Sequence, residues 1–501
     1  MRVASAQPTR HHRRGRWLVP LVLAVPFLVA ALALRGLTVA LPVFHGSDEL
    51  VYQFPTILQF SRQLPFPDLH HYASAQTPLF HLVMAYAGKL VGFRLWRLRL
   101  LEVVISYGLA LAVFGLLNRR LRMERLQALA LTLLFVLSPY VFGQSFRLVT
   151  DNLAMLLSVV ALERFERFRE AERLGPFLAG CAAVGAAIST RQSTAFLLGV
   201  GAFYALRPGA ARLRVGERVI ALLAVLLSAL PAGLLFLNWH GLVPVGSDPS
   251  SCGLCASGRA QIAGGLEVQS AELALATIGL YGAVLFAPLL IAAARSRPSR
   301  SGGRDQSSRA ARGPLAAAGA GGLLLLAFPA SPGAHAAGDI WRAAGHLPRL
   351  DGSSLLFWLL VPLSGAVLWI RVRAAPTPWL VGAFAACFLI SAVVIRYPWQ
   401  KYVDPFALLV LLLSSRPAEL ASAGKLAGAA VLAVAFLAYA LDFSSHRSVP
   451  RPQALVRSCL VTAGWVASPH GRFGTERDIC GRERTPPGVQ LAARRWPAAR
   501  N

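Results

Sequence analysis

Charge is scarce in this chain. Of its 501 residues only 15% are Asp, Glu, Lys or Arg, where a soluble domain carries about 25%. That deficit excludes an ordinary water-exposed globule. Acids are the scarcer sign, 23 against 50 Lys and Arg. Cysteine is sparse as well, six residues in all. One C-x-x-C pair, Cys252 and Cys255, has no second pair and no His pair near it, which leaves metal binding or redox work as its less favoured reading. No small-residue cleavage site follows the first apolar run, residues 17–44, which is also too long for a signal-peptide core; it reads as a retained span. No internal repeat is visible.

What the chain has instead is apolar sequence, 55% of residues, in long runs separated by short basic loops. Runs of about 20 apolar residues cross a bilayer as helices. Lipid admits only helices or closed barrels, and these runs are continuous rather than alternating. The expected fold is all-α, a polytopic membrane bundle of about 13 transmembrane helices. The expected spans are 17–40, 99–117, 126–143, 151–163, 175–189, 193–206, 218–238, 272–294, 314–330, 354–370, 378–395, 402–415 and 425–442.

With the N-terminus inside, alternation places 27 Lys and Arg in cytoplasmic regions. The longer outer loops hold fewer than half as many, leaving aside the tail, as the positive-inside rule requires. The net charge of +27 therefore reads as membrane topology and not as a nucleic-acid surface. The expected location is the inner (plasma) membrane. The apolar stretch 79–93 is short for a span and reads as an interfacial helix; otherwise the arginines of NRRLRMER would lie outside. Four parts follow: a front module, 1–294, with the outer loop 45–98; a flexible basic linker, 295–313; a rear module, 314–442; and a basic outer tail, 443–501. Cys181 and Cys387 fall within spans and read as packing residues. Cys252 with Cys255, and Cys459 with Cys480, lie outside, where pairing is open to them.

The candidate chemistry gathers on the outer side. Asp48 and Glu49 follow the first span directly. Leu50, Phe54, Ile57 and Leu58 then recur at helical spacing, as in an amphipathic helix on the membrane surface. A helix cap is the plain reading of Asp48. Its boundary position, with the polar run containing His70, His71, Tyr72, Gln76 and Thr77 close behind, also suits a carboxylate that takes a proton from an acceptor hydroxyl. Asp151, at the outer start of another span, invites the same two readings. Positive charge outside opposes the topology rule and needs a reason. Arg191, beside Gln192, sits in a turn too tight for a soluble loop. Arg396 and Lys401 bracket RYPWQKY, with Tyr402 at its end. A lipid phosphate presents an anion at that depth, which Arg grips bidentately and Lys meets as a point charge. The plain alternative is snorkelling beside an aromatic belt of Tyr397, Trp399 and Tyr402.

On these residues the chain resembles the GT-C superfamily of membrane glycosyltransferases, which use polyprenyl- or dolichyl-phosphate sugars. Asp48-Glu49, TPLFHL, RLWRLRLLEV and the SP…TD run ending at Asp151 carry the resemblance. Within it the chain looks most similar to the dolichyl-phosphoglucose-dependent alpha-1,2-glucosyltransferase family, through DELVYQFPTILQF, VTDNLAMLL and TRQSTAF. Val149 and Thr194 depart from that family's pattern. The resemblance implies juxtamembrane helices in the first outer loop. It implies hexose transfer with inversion from a lipid-phosphate-linked sugar donor to a glycan, lipid or protein acceptor, with no cofactor and no metal. Asp48 would be general base, Glu49 its orienting partner or alternate, and Asp151 a positioning acid. Arg191, Lys401 and Arg396 would neutralise the leaving phosphate. Another GT-C chemistry, such as an oligosaccharide or protein mannosyl transferase, is a near relative of this reading. A transporter or flippase of a lipid-linked or anionic substrate is the principal rival. Repeat symmetry and paired broken helices, which would favour it, are missing. A non-catalytic scaffold would not need acids and cations to gather on one side.

Overall fold

The structure, a computed structural model, describes residues 18–33, 48–171, 173–206, 214–244, 266–289, 304–331, 336–395, 398–420 and 423–445. Among them it is all-α apart from a two-stranded antiparallel ribbon, Arg349–Leu350 with Ser353–Ser354. The helices used below are α1 Leu18–Ala33, α2 Phe54–Gln63, α3 Leu79–Val91, α4 Leu95–Gly115, α5 Arg125–Leu137, α6 Asp151–Ala171, α7 Leu174–Thr190, α8 Phe196–Leu206 and α9 Val215–Trp239. They continue as α10 Val268–Leu285, α11 Arg304–Ala327, α12 Asp339–Gly345, α13 Leu355–Ala374, α14 Pro378–Ala392, α15 Gln400–Leu413 and α16 Ala427–Ser445.

Each expected span overlaps a described helix, but the helices are uneven. Four are long and apolar enough to cross alone: Leu95–Arg120, Val215–Trp239, Val268–Leu285 and Leu355–Ala374. The span expected at 126–143 is broken by 66° between α5 and Pro139–Phe146. Pro139 follows Ser138, whose backbone is extended; proline disfavours helix in the residue before it and donates no amide hydrogen bond of its own. The segment read as a linker is helical from Arg304 onward, so α11 begins inside it.

The outer-loop helix is also placed differently from the surface reading. A π-helical turn, Asp48–Gln53, leads into α2. Phe54, Ile57 and Phe60 are buried with Tyr72, Phe80, Met84 and Trp239. Protein therefore covers the apolar face of α2. The interfacial candidate at 79–93 is α3, which shares this cluster.

A second buried cluster runs from Leu23 to Phe436, so front and rear helices share one core. Lipid tails are as apolar as leucine, so helices in membranes associate by close approach at small residues. At Gly279 a Cβ would collide with the Leu360 carbonyl, and at Gly365 with that of Ala317. These two glycines set the spacing of α10 and α11 against α13. Leu223, Leu226, Leu227, Leu230, Leu234 and Leu237 on α9 are exposed, as a lipid-facing stripe should be.

Segments assigned to the same side of the membrane meet. Arg120 pairs with Glu163 at 2.6 Å and Glu170 at 2.5 Å, and Arg371 with Glu419 at 2.6 Å; all are on the arginine-rich side. The candidate site gathers the opposite loops.

Candidate active site

The two acids of the first outer loop part company. Glu49 is buried, 1% exposed, and faces inward. Arg99 of α4 donates to both its oxygens, Nε to Oε1 at 2.9 Å and NH2 to Oε2 at 2.6 Å. The Leu148 amide also donates to Oε1, at 2.9 Å. A carboxylate so occupied holds segments in place; it ties the π turn to α4 and to the loop before α6. Asp48 is left half-exposed, and Lys401 Nζ lies 2.7 Å from its Oδ2. Desolvation pushes the Asp48 carboxyl up, but Lys401, with Arg191 and Arg147 behind it, outweighs this and leaves it below its ordinary value.

The polar run after α2 acts as a fastener. Thr77 Oγ1 donates to the Ile188 carbonyl at 2.7 Å, near the end of α7. His81 Nε2 lies 2.6 Å from Gln53 Oε1, and Ser74 Oγ donates to the same oxygen at 3.3 Å. Burial drops the His81 imidazole to about 3, so it is neutral. The TPLFHL stretch thus locks the turn carrying Asp48 onto the bundle. His70 and Gln76 lie apart from the cleft described below. The His70 amide donates to Asp68 Oδ1 at 2.8 Å. The Gln76 carbonyl accepts from the Tyr72 hydroxyl at 2.7 Å. Gln192 Nε2 donates to the Ala75 carbonyl at 2.8 Å, joining this run to the α7–α8 turn.

Asp151 opens α6, and its neighbour Asn152 explains how it is held. Asn152 Nδ2 donates to Ser106 Oγ of α4 at 2.8 Å and to the Val141 carbonyl at 3.1 Å. The Pro139 break brings Val141 within reach. Asp151 Oδ1 then receives Arg191 NH1 at 2.5 Å. Burial opposes the Arg191 charge, but Asp151, Tyr402 and Asp48 more than offset it and raise its pKa. The guanidinium also lies over the Tyr402 ring, 4.6 Å from its centroid. Lys401 is 4.5 Å from the Trp399 ring centroid and 5.2 Å from that of Tyr402.

These groups line one cleft. Asp151, Asn152, Arg191, Lys401 and Tyr402 give it a polar end, and Ala154, Met155, Pro405 and Phe406 an apolar one. It holds about 20 Å³ of space for water, enough for one molecule or so. A phosphate can enter only if the ion pairs part. The Asp48–Lys401 pair, with its carboxylate 38% exposed, is of the kind worth about 0–1 kcal/mol. Arg191 is 8% exposed, so its pair with Asp151 parts only if the incoming phosphate replaces the carboxylate as its partner.

The sequence-derived set therefore divides. Asp48, Asp151, Arg191, Lys401 and Tyr402 come together. Glu49 and Gln192 support them from behind, His70 and Gln76 stand away, and Arg396 lies outside the described residues. Arg99 and Arg147 went unnoticed. Arg147 is buried, which pulls it down to about 10, among Glu49, Arg99 and Asp48. The signal was present: Arg147 is a positive charge in an outer turn, as Arg191 is.

Residues 75–237 match the family model described as dolichyl-phosphate-mannose-protein mannosyltransferase. That stretch is about a third of the chain and includes Asp151 and Arg191; Asp48, Lys401 and Tyr402 fall outside it. The comparisons with curated proteins and with solved structures gave no match. The match supports a membrane glycosyltransferase with a lipid-linked sugar donor. The family's description names mannose where the motif resemblance named glucose; a lipid-phosphate donor is common to both.

Proposed function

We propose that this protein transfers a hexose from a polyprenyl-phosphate carrier to an acceptor hydroxyl at the non-cytoplasmic face of the membrane. One observation carries the reading. Asp48, Asp151, Arg191 and Lys401, from four distant segments, converge as two ion pairs 2.7 Å and 2.5 Å long beside one cleft with an apolar end. The apolar end suits the first units of a lipid chain, and the two cations suit its phosphate.

In this mechanism the donor phosphate takes Lys401 and Arg191 from their carboxylates. Asp48, released from Lys401, accepts the proton of the acceptor hydroxyl. The acceptor oxygen bonds to the anomeric carbon from the face opposite the leaving group, and the carbon–oxygen bond to phosphate breaks with its electron pair on phosphate. The anomeric centre inverts, and the charge left on phosphate is met by cations already aimed at it. Asp151, freed from Arg191, positions the acceptor. Because the base is paired until the donor arrives, water is poorly activated in the empty site. The distribution of Lys and Arg along the sequence supports an outer-face position for this cleft.

The test is turnover by the purified full chain in proteoliposomes against a panel of polyprenyl-phosphate sugars. Transfer with inversion from at least one donor is expected. Binding of such donors without consumption, together with their movement across the bilayer, would favour a flippase instead.

A further inference from the structure

The α15 helix has two polar sides. Lys401, Tyr402, Pro405 and Phe406 face the cleft. Gln400 and Asp404 leave from the other side, as about 100° of rotation per residue requires. Asp404 is fully buried, and its Oδ1 accepts from the Tyr281 hydroxyl of α10. Gln400 Nε2 lies 3.4 Å from the same oxygen, while Gln400 Oε1 accepts from the Ile340 amide of α12 at 3.0 Å. The backbone is held too: the Gln400 amide donates to the Ala337 carbonyl at 2.9 Å. A carboxyl placed in this interior is costly unless it is hydrogen-bonded, so it needs a reason beyond packing.

We propose that Asp404 is a positioning residue: its bond to Tyr281, reinforced through Gln400, fixes the first turn of α15 so that Lys401 stands opposite Asp48. The functional weight of this rests on the reading of Lys401 as a phosphate-holding group. The placement itself does not. A turn free to rotate would move the ammonium by more than the hydrogen-bond tolerance of about 0.5 Å that a working site permits. The lock is built from α10, α12 and α15, beyond the stretch that matches the mannosyltransferase family model.

The experiment uses the full chain in lipid nanodiscs with two readouts. One is the rate at which a water-soluble acylating reagent labels Lys401, read by mass spectrometry. The other is the affinity for undecaprenyl phosphate. Asp404→Leu is expected to raise Lys401 labelling several-fold and weaken undecaprenyl phosphate binding about tenfold, since the carboxylate no longer anchors the turn. Asp404→Asn keeps an acceptor oxygen for Tyr281 and is expected to restore both readouts. Should Asp404→Leu fail to fold, Tyr281→Phe keeps the ring, loses the bond and should shift both readouts in the same direction. Labelling unchanged in the variants that lose the bond overturns the proposal, as does equal behaviour of the Asn and Leu variants. Raised labelling with no undecaprenyl phosphate binding even by the unaltered protein upholds the positioning role and removes the donor reading instead.

Discussion

Lys401 reaches across 353 residues of sequence to place its ammonium 2.7 Å from the Asp48 carboxylate. The first outer loop supplies the acid and the rear helices supply the cation, so the candidate site exists only when both ends of the chain are packed together. The pair is also the weaker kind. With Asp48 38% exposed, water and salt screen it, and an incoming phosphate can replace one partner. The buried pair next door, Glu49 with Arg99, has no such freedom. Adjacent acids in sequence thus take opposite duties: Glu49 is bound on both oxygens, and Asp48 can be released.

Replacing Asp48 by Asn should abolish sugar transfer while leaving the fold intact. A positioned general base contributes about 10²–10⁴-fold, and a loss of that size is expected in turnover of a labelled polyprenyl-phosphate sugar. Donor binding should persist, because Lys401 is then unpaired. Turnover within a few-fold of the unaltered protein would remove Asp48 from the mechanism.

The pH dependence follows from the same pair. Asp48 is held below its ordinary value of 3.8. As a depressed carboxyl, its pairing stabilises the fold above the unfolded pKa and is lost as pH falls through the folded pKa. Lys401→Met removes the main lowering influence while desolvation stays, so the Asp48 carboxyl should rise. Carbodiimide labelling of Asp48, followed against pH, should then begin at higher pH than in the unaltered protein. Superimposable labelling profiles would show that Lys401 does not set this charge.

Glu49→Gln should damage stability more than any change at Asp48. It would break the Glu49–Arg99 ion pair, whose arginine is 3% exposed, and breaking a buried pair costs about 3–5 kcal/mol. The thermal midpoint of the detergent-solubilised protein should fall clearly. Replacing both partners by Leu and Met should recover part of that loss, since both charges of the pair are then removed together. A double variant no better than Glu49→Gln alone would contradict this account.

Much of this was legible in the sequence because membrane helices announce themselves by composition: each run read as a span overlaps a described helix, while α2, α3 and α12 lie outside those runs. Arg191 and Lys401 were legible for a different reason, as positive charges on a side where the topology rule discourages them, and Asp151 as an acid at the outer start of a span. Arg99 was hidden because it sits inside the run read as the approach to a span. The break at Pro139 was hidden because apolarity continues through it; only the proline marks it. The protein cover over α2 could not be read locally, since an amphipathic face looks the same against lipid as against Tyr72 and Trp239. His70 and Gln76 were named for polar density near an acid; in the structure their backbone groups bond within the loop, to Asp68 and Tyr72, and they do not line the cleft.

The sidedness of the cleft can be tested without any substrate. Arg62 lies exposed in the first outer loop and Arg342 exposed in the loop before the ribbon, while Arg125 is exposed at the start of α5. Alternation puts the first two on one face and Arg125 on the other. Arg120 pairs with Glu163 at 2.6 Å and Glu170 at 2.5 Å, so the segment holding Arg125 should label with the α6–α7 turn, whichever side that is. In a background with the native cysteines replaced, Arg62→Cys and Arg342→Cys should react with an impermeant thiol reagent added outside intact cells. Arg125→Cys should react only after the membrane is opened. Residues near 305 should behave like Arg125, and residues near 250 like Arg62. The interfacial reading of α3 depends on this result, since counting α3 as a span moves Arg125 to the same side as Arg62. Labelling of both from outside would overturn the span assignment and, with it, the placement of NRRLRMER in the cytoplasm.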